Sequence, residues 1–293
     1  MRYFFSSIIT RSFWSYALFS RAAIRGFLSA LGFIFLGVQI LDFFKILEAK
    51  NYQASYFWLF LGVSALVSIL PRLPVSKVSY KIPKKDLRFD VVIGDLFSSP
   101  SPALIVSTNT TFDTNIATGI IAQDSLQGQM TMRYFRGNTE DLDRQIDASL
   151  ANIEGLTVDK KFGKTKEYPI GTVAKVEGGG KIIYLVAMAK LNETRTAASS
   201  LGMVEDALAS TWSFISKSGE LTDLAIPVMG TGRGRINIPR KKMIEKIAQS
   251  FADSSATSIF SNKLIIFVRP EDAESHQVNL FEVKDYLRQS LHI

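Results

Sequence analysis

The sequence contains no cysteine and only two histidines, His276 and His292, both near its C-terminal end. Without cysteine, disulfides, thiol nucleophiles and cysteine-ligated metals are excluded. A histidine-rich metal site or a Ser-His-Asp triad has almost no residues from which to form, so we predict neither a metal site nor catalytic residues of that type. Acidic residues are also outnumbered, with 27 Asp and Glu against 34 Lys and Arg, which gives a formal net charge of +7.

Two runs near the N-terminus lack charged residues altogether. Residues 26–41 (GFLSALGFIFLGVQIL) and 54–70 (ASYFWLFLGVSALVSIL) lie near the lower limit of the roughly 17–25 apolar residues that span a bilayer. Aromatic residues flank both runs, as is typical of membrane interfaces. We therefore predict a hairpin of two transmembrane helices. The alternatives are a pair of buried core helices and a cleavable signal peptide, and the second apolar run disfavours the latter.

Basic residues are concentrated on the two outer flanks of this predicted hairpin. Four arginines precede the first run with no acidic residue before Asp42, and six basic residues follow the second run, opposed by Asp86 alone. The positive-inside bias therefore predicts a multi-pass protein with cytoplasmic N- and C-termini and a short external loop. Because much of the basic excess is explained by this topology and by contact with anionic lipid, we do not expect a nucleic-acid partner.

From about residue 88 the sequence alternates between short β-branched runs and segments with helical spacing. Strands are predicted at RFDVVIG, ALIVS, GTVAKVE, KIIYLVAMA, LTDLAIPVM and KLIIFVR, the third and fourth being joined by a glycine turn at 178–180. Helices are predicted within IAQDSLQGQMTMRYF and TEDLDRQIDASLANI, and at about 197–217, 238–253 and 277–290. This alternation predicts an α/β fold with a mostly parallel sheet covered on both faces.

Three segments follow from these patterns. Residues 1–70 form the membrane hairpin, residues 71–87 form an extended linker or an edge strand, and residues 88–293 form the α/β domain. In such a domain, ligands bind in crevices at the carboxyl ends of the strands.

A glycine-rich stretch, IPVMGTGRGRINIP, follows one buried strand directly. Glycines there let backbone N–H groups approach an anion without obstruction by side chains. Arg233 and Arg235 add positive charge beside Gly230, Gly232 and Gly234. The stretch lacks Gly-Lys-Ser/Thr, so it is not a Walker-type phosphate loop. We interpret it as a phosphate-binding loop, with an ordinary tight turn as the alternative.

Two further strand ends carry polar residues. VVIGDLF ends one strand with Gly-Asp, and STNTTFDT follows another with Asn109 and Asp113. The carboxylate of Asp95 could accept a hydrogen bond from an exocyclic amine such as that of adenine, and Asn109 offers a donor and an acceptor to ribose hydroxyls. The alternatives are a solvated turn residue at Asp95 and a turn former at Asn109.

Together these motifs resemble the macro domain, the ADP-ribose-binding module, over roughly residues 88–290. The resemblance implies a three-layer α/β/α sandwich. It also implies that Asp95, with Leu96 beside it, contacts adenine, that Asn109 contacts the distal sugar, and that the glycine loop holds phosphate through Gly230, Thr231, Gly232, Arg233, Gly234 and Arg235. Common macro domains follow the Asn with a Gly-Gly-Gly-type stretch, whereas this sequence continues TTFDTNIATGIIAQDSLQGQ. This departure argues against ADP-ribosyl hydrolysis.

The same stretch, together with two N-terminal spans, resembles the membrane-linked macro effectors of Thoeris anti-phage systems. That resemblance implies a bacterial inner-membrane protein without a cofactor, which forms homo-oligomers and binds an ADP-ribose conjugate made by a TIR-domain enzyme. The distal end of the cavity would be lined by residues 112–115 and by the stretch 125–129, namely Phe112, Asp113, Thr114, Asn115, Ser125, Gln127 and Gln129. The terminal group of the ligand would be a histidine or another substituent.

Three functions remain open on the sequence. A ligand-gated membrane effector binds the nucleotide without turning it over and then harms the host cell. A membrane-anchored macro hydrolase needs a base, for which only Asp95 or Asp113 can be nominated. A membrane-anchored scaffold would instead dock ADP-ribosylated proteins.

Overall fold

The computed structural model describes residues 5, 8–46, 55–81, 87–230, 236–276 and 278–290. Three predicted features therefore lie wholly or partly outside the described residues: the external loop, the end of the linker, and Thr231, Gly232, Arg233, Gly234 and Arg235 of the glycine loop. The chain divides into two compact units, Met1–Ser76 with Glu274–Lys284, and Lys77–Ala273 with Asp285–Ile293.

The α-helices of the described residues are numbered in chain order. They are α1 (Arg11–Phe19), α2 (Arg21–Phe43), α3 (Ser55–Ile69), α4 (Leu126–Tyr134), α5 (Thr139–Ser149), α6 (Leu201–Ser218), α7 (Arg240–Thr257), α8 (Pro270–Ser275) and α9 (Leu280–Ser290). The strands are β1 (Lys77–Lys81), β2 (Arg88–Ile93), β3 (Ala103–Asn109), β4 (Leu156–Thr157), β5 (Lys166–Glu167), β6 (Val173–Gly178), β7 (Lys181–Leu191), β8 (Ala197–Ala198), β9 (Leu224–Pro227) and β10 (Lys263–Val268).

Short polar residues begin the first two helices of the N-terminal unit. The Thr10 hydroxyl accepts a hydrogen bond from the Phe13 amide at 3.2 Å, and the Ser20 hydroxyl accepts one from the Ala23 amide at 3.1 Å. Such caps satisfy amides that have no partner within the helix. Because Ser20 has an extended backbone, with φ −65° and ψ 150°, α1 and α2 are separate helices.

Helix α2 is the one helix among the described residues that is long and apolar enough to cross a membrane. None of its 18-residue apolar window is buried, which contradicts the alternative that it is a buried core helix. Helix α3 has 15 residues, fewer than the roughly 17–25 that a span requires. The prediction of a two-span hairpin is therefore not confirmed, and one candidate span near the N-terminus is what the described residues support.

Helices α2 and α3 contact each other through small residues. The hydroxyl of Ser68 donates to the carbonyl oxygen of Ala23 at 2.8 Å, and both residues are buried. Arg72 donates to the carbonyl oxygen of Ser68, and its guanidinium nitrogens lie 3.5 Å from the position that a Cβ on Gly26 would occupy. Small side chains let two apolar helices approach closely, as they do in membranes.

The second unit is built on one mixed sheet, in the order β1-β2-β10-β9-β3-β7-β6, with β8 paired to β7. The five strands from β2 to β7 in this order run parallel to their neighbours, while β1, β6 and β8 pair antiparallel. The central strands are buried along nearly their whole length, as is typical of parallel sheets covered on both faces. The predicted mostly parallel sheet is confirmed.

Helices cover both faces of this sheet. On one face, Met130 of α4 and Leu142 of α5 belong to a buried cluster with Leu104 of β3 and Leu185 of β7. Side chains alternate along a strand, and on the opposite face the ring of Tyr184 contacts that of Phe214 on α6, with centroids 6.1 Å apart. Helix α7 packs on α6 there. The arrangement is the expected three-layer α/β/α sandwich.

Polar side chains close one edge of the sheet. At the β6 edge, the Ser149 hydroxyl accepts from the Lys175 amide at 2.8 Å, and the Gln145 side-chain oxygen accepts from the Glu177 amide at 2.8 Å. The Gln145 side-chain nitrogen also donates to the Glu177 carbonyl at 3.2 Å. These bonds occupy backbone groups that an edge strand otherwise leaves free to pair with another chain.

At the opposite edge, a buried carboxylate fixes β1 to the sheet. Asp90 of β2 is 1% exposed and lies between two ammonium groups, Lys77 of β1 at 2.9 Å and Lys263 of β10 at 2.8 Å. Burial raises the pKa of Asp90, but the hydrogen bonds from Lys263, Ser79 and Lys77 outweigh it and hold the pKa below its ordinary value. The carboxylate therefore joins three strands as an anion.

Most predicted elements of the α/β domain are found, with shifted ends. The turn at 178–180 is confirmed, with Gly179 and Gly180 at φ 57° and 73°, which suits a hairpin of this length. Of the two alternatives for residues 71–87, the edge strand is present as β1. The helix predicted from 197 begins at Leu201, because Ala197–Ala198 pairs with β7 as β8. Helix α8 was not predicted.

Candidate functional site

The centre of the sheet opens at the carboxyl ends of its strands. Strand β3 pairs with β7 along its length, but with β9 only at Ala103↔Leu224 and Leu104↔Ala225 among the described residues. Beyond these pairs β3 and β9 separate, while β9 stays paired with β10. Crevices between parallel strands that part in this way are where open α/β sheets bind ligands.

A cavity of about 360 Å³ fills this opening. Its walls come from the end of β3, from residues 119–127, from the end of β7 and the loop after it, from Val228 to Gly230 after β9, and from Arg269 and Asp272 after β10. This volume lies at the small end of the roughly 300–1,000 Å³ of ligand sites. The described residues include no group of three or more His, Asp or Glu side chains that could hold a metal ion.

Asn109 is the predicted site residue with the clearest position in the cavity wall. Its side-chain oxygen accepts from the Thr111 amide at 3.0 Å and from the Asp113 amide at 3.2 Å, and the Thr111 hydroxyl lies 2.8 Å from it. These bonds fix which end of the side-chain amide is oxygen. Its nitrogen Nδ2 is buried and has no hydrogen-bond partner among the described residues. A buried donor without a partner is costly, and this one belongs to a residue that lines the cavity.

The N-terminus of α4 forms the neighbouring wall. The Ser125 hydroxyl accepts from the Gly128 amide at 3.0 Å and so begins the helix. A Cβ on Gly128 would lie 2.3 Å from the Ala122 carbonyl oxygen, so this turn requires glycine. Gln127 also lines the cavity, but both ends of its side-chain amide are bonded within the protein. Gln129 donates to the Asp124 carbonyl oxygen at 2.8 Å.

Three side chains predicted at the distal end of the ligand are directed into the fold. Phe112 is 1% exposed and belongs to the core. The Asp113 carboxylate accepts from the Thr111 hydroxyl at 2.6 Å, the Lys160 ammonium at 3.0 Å and the Lys164 amide at 2.6 Å. The Thr114 hydroxyl donates to Asp143 at 2.7 Å. The wall of the cavity, as far as it is described, does not include them.

Asp95 also lies outside the described wall of the cavity. One carboxylate oxygen accepts from the Phe97 amide at 3.0 Å, and the other accepts from the Arg133 guanidinium at 2.8 Å. The next residue, Leu96, is buried in the core. The Asn115 side chain accepts from the Thr118 amide at 2.9 Å on an exposed loop. Of the predicted residues that are described, the cavity wall brings together Asn109, Ser125, Gln127 and Gly230.

Two arginines in the cavity wall were missed by the sequence analysis. Arg269 follows β10, and Arg195 lies in the loop after β7. The sequence did contain a signal for Arg195. The residues NETRT follow the strand KIIYLVAMA, and an Asn at the end of a strand favours a turn that its own side chain stabilises. Both residues are exposed.

An open, mostly parallel sheet whose central strands part around a cavity defines an α/β ligand-binding domain. Its sequence identifies it further. The profile of the family described as "Thoeris protein ThsA, Macro domain" matches residues 89–269, and the chain belongs to this family. The match spans β2 to the end of β10, and therefore the strands that form the cavity.

A curated relative supports the assignment. The chain is 25% identical over 205 residues to the Thoeris protein ThsA of Bacillus amyloliquefaciens (strain Y2), an alignment that covers 68% of this chain and 67% of the relative.

Two solved structures also resemble the chain. One is the Oceanobacillus iheyensis macrodomain with ADP, at 12% identity and a TM-score of 0.48, covering 73% of this chain and 97% of that one. The other is Thermosipho africanus DarTG in complex with ADP-ribose, at 15% identity and a TM-score of 0.42, covering 67% of this chain and 44% of that one. The family assignment rests on the sequence match and not on these structures.

Proposed function

We propose that the chain is an anti-phage effector whose α/β unit binds an ADP-ribose-type nucleotide in the central cavity. The observation that carries this proposal is the unpaired Nδ2 of Asn109, a buried donor on a residue that lines the cavity, whose side-chain oxygen is already fixed by two backbone amides. A ribose hydroxyl would accept from this donor and satisfy it. Membership of the ThsA macro-domain family is consistent with such a ligand.

The rest of the nucleotide can be placed by the order of the strands. The distal ribose would lie at Asn109 on β3, and the diphosphate would lie beside it at Gly230, where β9 ends. The glycine loop that follows Gly230 would supply backbone N–H groups to the phosphates. Adenine would then lie beyond β9, towards Asp95. In that case the Asp95 carboxylate would exchange its bond with Arg133 for one with the adenine amine.

Substituting Asn109 with Asp tests this placement. Asp keeps the oxygen that accepts from Thr111 and Asp113, but it replaces the Nδ2 donor with a second acceptor. We expect the affinity for ADP-ribose, measured by calorimetry on the full chain, to fall about tenfold or more. Asn138→Asp is the matched control, since the Asn138 oxygen likewise accepts from a backbone amide, that of Asp141 at 3.1 Å, in an exposed turn outside the cavity wall. Unchanged affinity in Asn109→Asp would refute the proposed site.

We further propose that the protein binds this nucleotide without hydrolysing it. The two carboxylates nominated as bases, Asp95 and Asp113, both have cationic partners and lie outside the described cavity wall. Asp124 and Asp272 do line the cavity, but Asp272 pairs with Arg240 at 3.4 Å and Asp124 also has a partner within the protein. Incubation with an ADP-ribosylated protein, with mass spectrometry of the products, separates binder from enzyme. Release of free ADP-ribose at enzymatic rates would favour the hydrolase, and stable capture of the modified protein would favour the scaffold.

The N-terminal unit is proposed to carry the response to the membrane. Helix α2 is apolar enough to cross a bilayer, and exposed aromatic residues such as Phe33 and Phe35 lie along it. The basic flanks favour cytoplasmic termini on either side of a two-span hairpin with α3. Reporters fused after residue 293 and inserted near residue 51 should report cytoplasmic and external locations, respectively. The reverse pattern would remove the nucleotide-binding unit from the cytoplasm and refute this topology.

The signal itself is proposed to come from a TIR-domain enzyme during infection, as an ADP-ribose conjugate such as one with histidine. Binding in several chains of a homo-oligomer would then alter the membrane and kill the infected cell. A ligand shifts such an equilibrium only through its different affinities for the two states. Mass spectrometry of nucleotide released from protein purified after infection identifies the signal. Recovery of no ADP-ribose derivative would contradict this scheme.

A further inference from the structure

We propose that Arg195 binds an anionic group, a carboxylate or a phosphate, at the end of the nucleotide beyond the distal ribose. This inference rests on the proposed function and names the chemical class of the terminal group. It predicts a ligand that carries a negative charge in addition to those of its diphosphate.

The turn that carries Arg195 is built by one side chain. The Asn192 side-chain oxygen accepts from the Thr194 amide at 3.0 Å, the Thr194 hydroxyl at 2.8 Å and the Thr196 amide at 2.8 Å. The Asn192 amide donates to the Thr196 carbonyl at 3.1 Å, and the Arg195 amide donates to the Asn192 carbonyl at 2.9 Å. The turn is therefore held closed before any ligand arrives.

Arg195 itself has a backbone conformation that a residue with a Cβ rarely adopts. Its φ is +60°, in the left-handed region. Glycine or asparagine would occupy this region at lower cost. A side chain retained in such a conformation is a reason to look for its function. Here the residue in this conformation is one of those that line the cavity.

The guanidinium is positioned but its charge is not neutralised. It donates to the Thr118 carbonyl oxygen at 2.9 Å, and its carbon lies 5.2 Å from the centre of the Phe162 ring. Among the described residues it forms no ion pair with a carboxylate. Phe162 also contacts the ammonium of Lys160, at 5.5 Å. Arg195 therefore keeps guanidinium donors for an incoming anion, in a geometry that suits a planar carboxylate or a phosphate.

The order of the strands places Arg195 at the correct end of the ligand. The cavity crosses the carboxyl ends of β10, β9, β3 and β7 in that order. Neighbouring paired strands lie about 4.8 Å apart, and β9 and β3 part at this end of the sheet, so the path is longer than about 14 Å. Asn109 ends β3, and Arg195 follows the adjacent strand β7. A group attached to the distal ribose would therefore extend towards Arg195 and away from the adenine.

The alternative contacts for a terminal group are used within the fold. Phe112 is in the core, the Asp113 carboxylate is bonded to Thr111, Lys160 and Lys164, and the Thr114 hydroxyl donates to Asp143. An acidic side chain such as Asp113 would also repel an anion. The described wall on the β7 side offers Arg195 instead.

Calorimetry of the full chain with four nucleotides tests the proposal. The probes are ADP-ribose, its 1″-phosphate, its half-ester with succinic acid, and its acetate ester. The acetate ester has an uncharged terminal group and is the neutral comparison for the two charged derivatives. We expect wild-type protein to bind the phosphate or the succinate about tenfold more tightly than the acetate ester at low ionic strength. The tighter of the two identifies phosphate or carboxylate as the preferred anion.

Three variants assign that preference to a residue. In Arg195→Gln the ratio between charged and neutral probes should fall to about one, while Arg195→Lys should retain most of it because the charge remains. Arg136→Gln is the matched control, since Arg136 is also exposed and has a φ of +54° outside the cavity wall. Its ratio should equal that of the wild type.

The possible failures are distinguishable. A wild type that binds ADP-ribose but does not distinguish charged from neutral probes overturns the role of Arg195 and leaves the proposed function intact. The same holds if Arg195→Gln keeps the wild-type ratio. A wild type that binds none of the four probes overturns the proposed function, and this inference with it.

Discussion

The side-chain nitrogen of Gln127 donates to the main-chain oxygen of Asp113 across 2.6 Å. The oxygen of the same amide accepts from the Thr108 hydroxyl at 3.0 Å. One buried side chain therefore ties α4 both to the end of β3 and to the turn that follows it. Because Asn109 lies between Thr108 and that turn, Gln127 fixes the position of Asn109, and both ends of its amide are bonded within the protein.

Replacing Gln127 with Met should lower the free energy of unfolding by about 1–3 kcal/mol. The side chain keeps its size, but the Thr108 hydroxyl and the Asp113 carbonyl lose their partners in a buried place. Thermal unfolding followed by tryptophan fluorescence, to which the buried Trp212 contributes, measures the change. Gln129→Met, which removes one bond to the Asp124 carbonyl on the outside of α4, should cost less than half as much. Equal costs would contradict the role given to Gln127.

Replacing Gly128 with Ala should destabilise the protein and abolish ADP-ribose binding, although alanine is the better helix former. The new Cβ would lie 2.3 Å from the Ala122 carbonyl and 2.8 Å from that of Gln123, so the cavity wall must move. Gly202→Ala, in the first turn of α6, meets only the Ser200 hydroxyl at 4.0 Å. That control should be neutral or stabilising by up to about 1 kcal/mol. Similar melting temperatures for Gly128→Ala and Gly202→Ala would contradict the close approach of Gly128 to the Ala122 carbonyl.

Stability should fall in acid because of Asp90. Its pKa in the folded chain is below the ordinary value, so its ion pairs stabilise the fold above the unfolded pKa of about 3.9. This contribution is lost as the pH falls through the folded pKa. Asp90→Asn should therefore be less stable than wild type at pH 7 and should lose less stability between pH 5 and pH 3. The control Asp253→Asn, at an exposed position on α7, should show the wild-type dependence of stability on pH. If Asp90→Asn showed the same dependence as the wild type, Asp90 would not be the cause of the loss in acid.

Asp113→Asn distinguishes a structural role from ligand contact. If the carboxylate chiefly neutralises Lys160, which is 14% exposed, the variant should lose about 3 kcal/mol of stability, because a partly buried ammonium is left unpaired. ADP-ribose affinity, measured well below the melting temperature, should then change little. A large loss of affinity at unchanged stability would instead support the contact with the ligand that the resemblance to macro domains implies.

The strands and their order of alternation could be predicted because each β-branched run has strand length and is bounded by turn residues. The turn at Gly179 and Gly180 could be predicted for the same reason. The contacts of Asp113 could not, because its partners Lys160 and Lys164 lie about fifty residues later and their approach depends on tertiary packing. The position of Asn109 at a strand end could be predicted from its motif, whereas the position of Arg195 in the cavity wall depends on the loop after β7, where its side chain contacts Thr118.

Membrane segments show a similar limit. The charge-free run that became α2 was long enough to be recognised, and its exposure agrees with a candidate span. The second run was judged on the same grounds, and its helix ends at Ile69, close to the predicted end, followed by a short 3₁₀ turn containing Pro71. The absence of charge identified an apolar helix there, but the 15 residues of α3 are fewer than the roughly 17–25 of a span.

The early separation of β3 from β9 leaves the sheet as two half-sheets, β1-β2-β10-β9 and β3-β7-β6, hydrogen-bonded to each other at only two residue pairs in the described chain. Amides on the facing sides of this seam have no strand partner to slow their exchange. Deuterium should therefore replace hydrogen in the middle of the domain sooner than in its outer hairpins. A ligand that binds across this seam would hold the two half-sheets together. Its binding should slow hydrogen exchange in both half-sheets at the same time, and this effect can be measured without knowing what the ligand is.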